Sequence, residues 1–140
     1  MPKIQIFLRQ IFHHALPMPG VLFRRGLNIN PVCPLSMNDI DSMDHLLLEC
    51  SMSRRVLEGA VQHGWISNGL LGIGTNLCDQ LQRLGSHPKH RRALPKISFL
   101  LWSIWKGRHN AVFRNEFFKP LSCLVSAKKA SAEWRILEYR

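Results

Sequence analysis

The sequence predicts a mainly α protein, in which a small helical domain with a tight turn is followed by a helical linker region. Two observations predict this class. Apolar residues recur at three- and four-residue spacing in several segments, as they do on the buried face of a helix. No segment alternates apolar and polar side chains as a half-buried strand does. With 46% hydrophobic and 20% charged residues among 140, the chain has the composition of a globular protein with its own core.

The first helix is predicted over residues 3–15, where Ile4, Phe7 and Ile11 fall on one apolar face. Pro17 ends it, because proline cannot continue a helix. A turn-rich segment with two further prolines comes next, and its composition excludes regular structure.

Two short helices are predicted after this turn-rich segment. Asp41 or Ser42 can cap the first one, since their side chains can accept hydrogen bonds from free backbone N–H groups. Ser51 or Ser53 can cap the second, which a glycine ends.

Three helices are predicted in the second half of the chain. Thr75 can cap a short helix that Gly85 ends. Residues 94–114 are the strongest predicted helix, with Pro95 in its first turn. Pro120 begins the last helix.

The chain is strongly basic, with 19 lysines and arginines against 9 aspartates and glutamates and a formal charge of +10. Residues 39–50 form an acidic segment within it, with Asp39, Asp41, Asp44 and Glu49 and no base. A basic chain favours polyanionic partners, RNA or DNA foremost. The bases expected to contact phosphates are Arg24, Arg25, Arg54, Arg55, Lys89, Arg91 and Arg92.

Three other function classes are not expected. No apolar run reaches the roughly 18 residues that cross a bilayer, so no membrane partner is predicted. The N-terminus does not read as a secretory signal, which predicts an intracellular protein of the nucleus or cytoplasm. No set of carboxylates or nucleophiles has a spacing that supports catalysis, and the chain is predicted not to be an enzyme.

Two cysteines bracket the acidic segment, and the spacing Cys33-x2-Ser36-x8-His45-x4-Cys50 is the feature that carries chemistry. Zinc binds thiolate and imidazole ligands that converge tetrahedrally, and a tight turn followed by a short helix can deliver them. An intracellular chain keeps its thiols reduced, which favours metal binding or plain burial over disulfides. Cys33, His45 and Cys50 are therefore the predicted zinc ligands of a zinc-knuckle-like turn.

The fourth position of this pattern is Ser36, whose hydroxyl is a poor zinc ligand because it stays protonated near neutral pH. Water can complete the site, or a substitute ligand can, the candidates being His13, His14, His63 and Cys78. The alternative is that Cys33 and Cys50 are small buried hydrophobes around a ligand set that has decayed.

Other segments accompany the cysteines and the histidine in a fixed order. They are Pro2-Lys3-Ile4-Gln5-Ile6-Phe7-Leu8, His13-His14-Ala15-Leu16-Pro17, Leu22-x-Arg24-Arg25-Gly26-Leu27, Cys33-Pro34-Leu35-Ser36 and His45-Leu46-x-x-x-Cys50. This combination resembles the zinc-binding domain of plant non-LTR (LINE-type) retrotransposon reverse transcriptases. The segment from Leu101-Trp102-Ser103-Ile104-Trp105-Lys106 to Phe113 resembles the helical linker that follows it.

The sequence departs from this family at three places. Ser36 stands where the family has a ligand cysteine, Arg9 where it usually has tryptophan, and Asp41 only approximates an acid that precedes the histidine. The resemblance implies a division into residues 1–65, the zinc-binding-like domain, residues 66–93, a loop, short helix and basic connector, and residues 94–140, the linker region.

The resemblance implies a non-catalytic, nucleic-acid-binding accessory module of a reverse transcriptase, expected to be a fragment of the element's polyprotein. Its implied partners are RNA or DNA and the polymerase and ribonuclease H-like domains of the same element. One alternative is a helical module that docks onto those domains through Trp102, Trp105 and Trp134. Another is a retrotransposon remnant without function.

Overall fold

A computed structural model describes residues 2–16, 26, 32–33, 37, 42–72, 75–114 and 116–138. Its elements are α1 (Pro2–Phe12), a π-helical turn (His45–Glu49, hereafter the π-turn), α2 (Ser51–Gln62), α3 (Leu77–Ser86), a 3₁₀ turn (Arg91–Ala93), α4 (Leu94–Phe113) and α5 (Pro120–Glu138). Within these ranges there is no β-strand, so the mainly α prediction is confirmed. None of the helices described is both long and apolar enough to span a membrane.

Helix α4 lies at the centre of the structure. It packs against α1, α2, α3, α5 and the π-turn. Its residues Ile97, Leu100, Leu101 and Ile104 are completely buried, which explains why apolar residues recur at helical spacing in this segment. One hydrophobic cluster extends from Ile4 in α1 to Ala127 in α5. The linker region therefore shares a core with the N-terminal part, while the predicted division at residues 65 and 93 stays a prediction.

The predicted caps of α2 and α3 are wrong by one to three residues. Cys50 precedes the first residue of α2 and makes no side-chain cap bond. Asn76, not Thr75, caps α3, since its Oδ1 accepts from the Asp79 N–H at 2.9 Å. Gly85 lies inside α3 instead of ending it.

Two side chains fix the start of α3, one from the acidic segment and one from α3 itself. The Leu77 N–H donates to Asp44 Oδ1 at 3.0 Å, so this acid satisfies a free donor at the helix N-terminus. Buried Gln80 donates through Nε2 to the carbonyls of Gly72 and Thr75 and accepts from the Gly72 N–H. Asp44 therefore ties the acidic segment to α3, and Gln80 closes the loop before it.

Gly107 of α4 packs tightly against Cys123 of α5 and Phe118 of the preceding loop. A Cβ placed on Gly107 would lie 2.9 Å from Cys123 Sγ and 3.0 Å from Phe118 Cε2. Such contacts are too short for carbon and sulfur. The helix pair therefore requires glycine here, even though glycine is a poor helix former.

Gly107→Ala is expected to lower the free energy of unfolding by about 1–2 kcal/mol, because overpacking outweighs the gain in helix propensity. Gly59→Ala is the matched control, since its Cβ would lie at an ordinary 3.6 Å from Leu124 Cδ2. It should raise the free energy of unfolding by up to about 1 kcal/mol. Urea denaturation of both variants checks this, and a Gly107→Ala protein as stable as Gly59→Ala would contradict the close packing.

Candidate metal centre

The π-turn positions His45 for the candidate site. The Cys50 N–H donates to the His45 carbonyl at 2.6 Å, which closes a five-residue step instead of the usual four. On the N-terminal side, the His45 N–H donates to Ser42 Oγ at 3.1 Å. Of the two predicted caps, Ser42 makes a capping hydrogen bond. Asp41 lies outside the described residues. These bonds fix the backbone on both sides of the histidine.

Three predicted ligands meet at one buried point. Ligand atoms of Cys33, His45 and Cys50 all lie within 4.8 Å of one another. Both cysteines are 0% exposed and His45 is 5% exposed. The Sγ atoms of Cys33 and Cys50 are 4.0 Å apart, close to the roughly 3.8 Å that two zinc–sulfur bonds of about 2.3 Å subtend in a tetrahedron. Two thiols and one imidazole at this spacing fit zinc.

The two thiols at this point are not joined in a disulfide, since their separation is far beyond the length of a sulfur–sulfur bond. The hydrogen bond with Cys33, and then burial, raise the pKa of the Cys50 thiol well above its ordinary value. Because zinc binds thiolates, binding has to release these protons, and the affinity for zinc rises as the pH rises. A bound zinc ion would take the place of the proton between the two buried sulfurs, and its charge would interact more strongly with both of them.

The fourth ligand position, Ser36, lies outside the described residues. The substitutes that the sequence offers do not join the cluster within the part of the chain that the structure describes. His13, His14 and His63 are exposed. Cys78 lies elsewhere, with its Sγ 3.2 Å from the Ile11 carbonyl and 3.9 Å from His14 Nε2. The described donor set is therefore three residues, which leaves one position for Ser36 or for water.

The sequence did not reveal the role of Ser53, which supports the site from behind. Its buried hydroxyl donates to the Leu46 carbonyl, one residue after the histidine. The π-turn leaves carbonyls without their usual helical donors, and this bond satisfies one of them. From sequence alone, a serine near the start of a helix is expected to cap that helix. No spacing in the sequence distinguishes capping from the hydrogen bond to a π-turn carbonyl.

The comparison with known protein families bears directly on this geometry. Residues 1–56 match the family model described as zinc-binding in reverse transcriptase. The match covers α1, all three clustered ligands and the first half of α2. The resemblance identified from the sequence is thus confirmed over these residues. No curated protein and no solved structure matches the chain significantly.

Zinc is the metal that both the family description and the donor set support. In a zinc-binding reverse-transcriptase domain with this geometry, Cys33, His45 and Cys50 would hold the ion. The ion would link the segment before the π-turn to the start of α2. Structural zinc ions join separate segments of a chain in this way. Zinc with three protein ligands can also keep one position open to water.

The predicted phosphate-contacting bases lie in different settings. Arg24 and Arg25 are outside the described residues. Arg54 is half-buried, and its Nη1 lies 3.5 Å from the carbonyls of Leu48 and Leu71. The other four predicted bases are exposed, namely Arg55, Lys89, Arg91 and Arg92. The last three share the segment around the 3₁₀ turn, whereas Arg54 holds a loop against the π-turn.

Ser36→Cys is expected to increase zinc affinity by about tenfold or more, because a third thiolate replaces a weak ligand at the fourth position. The wild-type chain, purified without chelator, should already contain zinc. Metal content by mass spectrometry and thermal unfolding with and without zinc measure both effects. The control is Ser67→Cys, which adds a thiol at an exposed loop residue.

Equal zinc affinity in the Ser36→Cys and Ser67→Cys variants would remove Ser36 from the site. Absence of zinc from the wild type and from both variants would mean that the three-residue cluster does not bind zinc.

Proposed function

We propose that the chain is a non-catalytic, nucleic-acid-binding accessory module of a retrotransposon reverse transcriptase of the plant LINE type. One observation carries the proposal: the segment that matches the reverse-transcriptase family model also buries a convergent Cys–His–Cys donor set. The net charge of +10 supports a polyanionic partner. The family description names a zinc-binding domain, and a zinc-binding domain of this kind accompanies the polymerase without performing its chemistry.

In this proposal zinc acts as a structural ion. It fixes the segment at Cys33 against the π-turn and the start of α2, so the surface around these elements keeps one shape. Binding to RNA or DNA would come from exposed bases that neutralise phosphates, with a steep dependence on salt and little preference for sequence. Arg55, Lys89, Arg91 and Arg92 are exposed and can do this, although Arg91 also donates through Nε to the Gly85 carbonyl. Arg54 is half-buried and lies beside two backbone carbonyls.

A second candidate function is docking onto the polymerase or ribonuclease H-like domains. The tryptophans that the sequence suggests for this role, Trp102, Trp105 and Trp134, pack against the chain's own core and are only partly exposed. The observation that favours docking is instead a pair on α5, Leu121 and Val125, which are 64% and 57% exposed one helical turn apart. Exposed apolar residues are common on protein surfaces. The pair therefore supports docking less strongly than the net charge supports nucleic-acid binding.

The double variant Arg91→Ala/Arg92→Ala is expected to weaken binding to single-stranded RNA and to flatten its salt dependence by about 0.7 in log–log slope for each phosphate that is no longer neutralised. The control, Lys128→Ala/Lys129→Ala, removes the same charge from α5. Fluorescence anisotropy with labelled oligo(U) at several salt concentrations measures both slopes. Wild-type affinity that is absent, or independent of salt, would exclude nucleic-acid binding. An equal loss of affinity in both double variants would mean that binding depends on net charge alone and not on the positions of Arg91 and Arg92.

A further inference from the structure

Two large aromatic side chains are exposed where α4 ends and α5 has not yet begun. Phe113 is 70% exposed and Phe117 is 91% exposed. Phenylalanine is among the side chains most often buried, and burial of such a ring is worth about 1.5–3 kcal/mol. Because the core of this chain has other apolar side chains to fill it, two neighbouring exposed rings need another explanation.

Phe117 lines one of two grooves that share residues of α4, and the Phe113 ring lies beside His109, which lines the other. A groove of about 510 Å³ lies between α4 and α5 and is lined by Trp102, Lys106, Phe117 and Lys119 among others. A second groove, of about 380 Å³, lies between α1 and α4 and is lined by Lys3, Ile6, Trp102, Trp105, Lys106 and His109. Trp102, Lys106 and Asn110 line both grooves. The two grooves therefore form one continuous surface.

Aromatic and basic side chains lie together on this surface. Lys106 Nζ lies 4.6 Å from the centre of the Trp102 ring. The His109 and Phe113 rings are 4.6 Å apart. The two grooves together carry Lys3, Lys106 and Lys119 against one acid, Glu116. We name the set Trp102, Lys106, His109, Phe113, Phe117 and Lys119 the stacking surface.

We infer that the stacking surface binds single-stranded nucleic acid, with bases stacked on the aromatic rings and phosphates neutralised by the lysines. This inference rests on the proposed nucleic-acid binding. It further specifies that the nucleic acid is single-stranded and that the stacking surface binds it. Rings beside lysines in an open groove are the combination that holds single strands, since every base has a face that can stack.

Charge and geometry select this occupant over two others. A double helix keeps its base faces stacked inside, so it can use the lysines but not Phe117. An apolar protein segment would cover the rings but would have to desolvate three lysines with a single glutamate nearby. A single strand uses the rings and the lysines together.

The stacking surface is separate from the bases predicted from the sequence. None of Arg54, Arg55, Lys89, Arg91 and Arg92 lines either groove. The six named residues of the stacking surface also lie outside residues 1–56 that match the family model, although Lys3 and Ile6 of α1 line the second groove. Substitutions there therefore test this inference without disturbing the metal ligands.

Phe117→Ala is expected to weaken binding of the full-length chain to single-stranded oligo(U) roughly 5- to 150-fold, the range that removal of one stacked base gives. Because Phe117 is 91% exposed, the variant should fold normally, which circular dichroism checks. Phe117→Trp should restore or exceed wild-type affinity. Val125→Ala is the matched control, since it removes an exposed apolar side chain that lines neither groove.

Binding to a duplex RNA of the same length separates the possible outcomes. Weakened oligo(U) binding by Phe117→Ala, with unchanged duplex affinity and an unaffected Val125→Ala protein, supports the inference. Salt-dependent oligo(U) binding that Phe117→Ala leaves unchanged would overturn the inference and leave the proposed function standing. Absence of any nucleic-acid binding by the wild type would overturn both, and self-association abolished by Phe117→Ala would assign the surface to protein contact instead.

Discussion

The π-turn is the constraint on which the N-terminal half of the structure depends. Four consecutive residues, His45 to Leu48, are buried, and a regular amphipathic helix cannot bury four in a row on one face. The wider turn lets the three leucines enter the core between α2 and α4 while His45 faces Cys33 and Cys50. Ser42, Ser53 and the Cys50 N–H satisfy its backbone. Core packing and the ligand cluster therefore rely on one short segment.

The sequence is sufficient to predict most of the helices and the cluster of Cys33, His45 and Cys50, because both leave local patterns. Apolar periodicity locates α1 and α4, and the spacing of Cys33, His45 and Cys50 needs only a turn and a short helix to converge. The π-turn leaves no such pattern, since its geometry follows from tertiary packing. The predicted cap of α3 is one residue away from the observed one because Thr75 and Asn76 are both good caps, and the bond to Asp79 decides between them.

The features that sequence patterns could not predict are set by contacts between distant elements. Asp44 belongs to an acidic segment in the sequence, and the Leu77 N–H that it binds is 33 residues away. Gly107 is an ordinary helical residue until α5 approaches it. The exposure of Phe117 depends on how α5 packs back against α4, which no local rule specifies. The metal cluster and the stacking surface are thus placed by the same central helix, one at the π-turn and one on its outer face.

The central claim is that two sulfurs and one imidazole nitrogen bind a single zinc ion at the π-turn. X-ray absorption spectroscopy at the zinc edge tests it most directly on the zinc-loaded chain. The predicted spectrum has two sulfur scatterers at about 2.3 Å and nitrogen or oxygen scatterers at about 2.0–2.1 Å. A zinc ion surrounded only by nitrogen and oxygen would contradict the claim, because Cys33 and Cys50 would then be buried hydrophobes and not ligands.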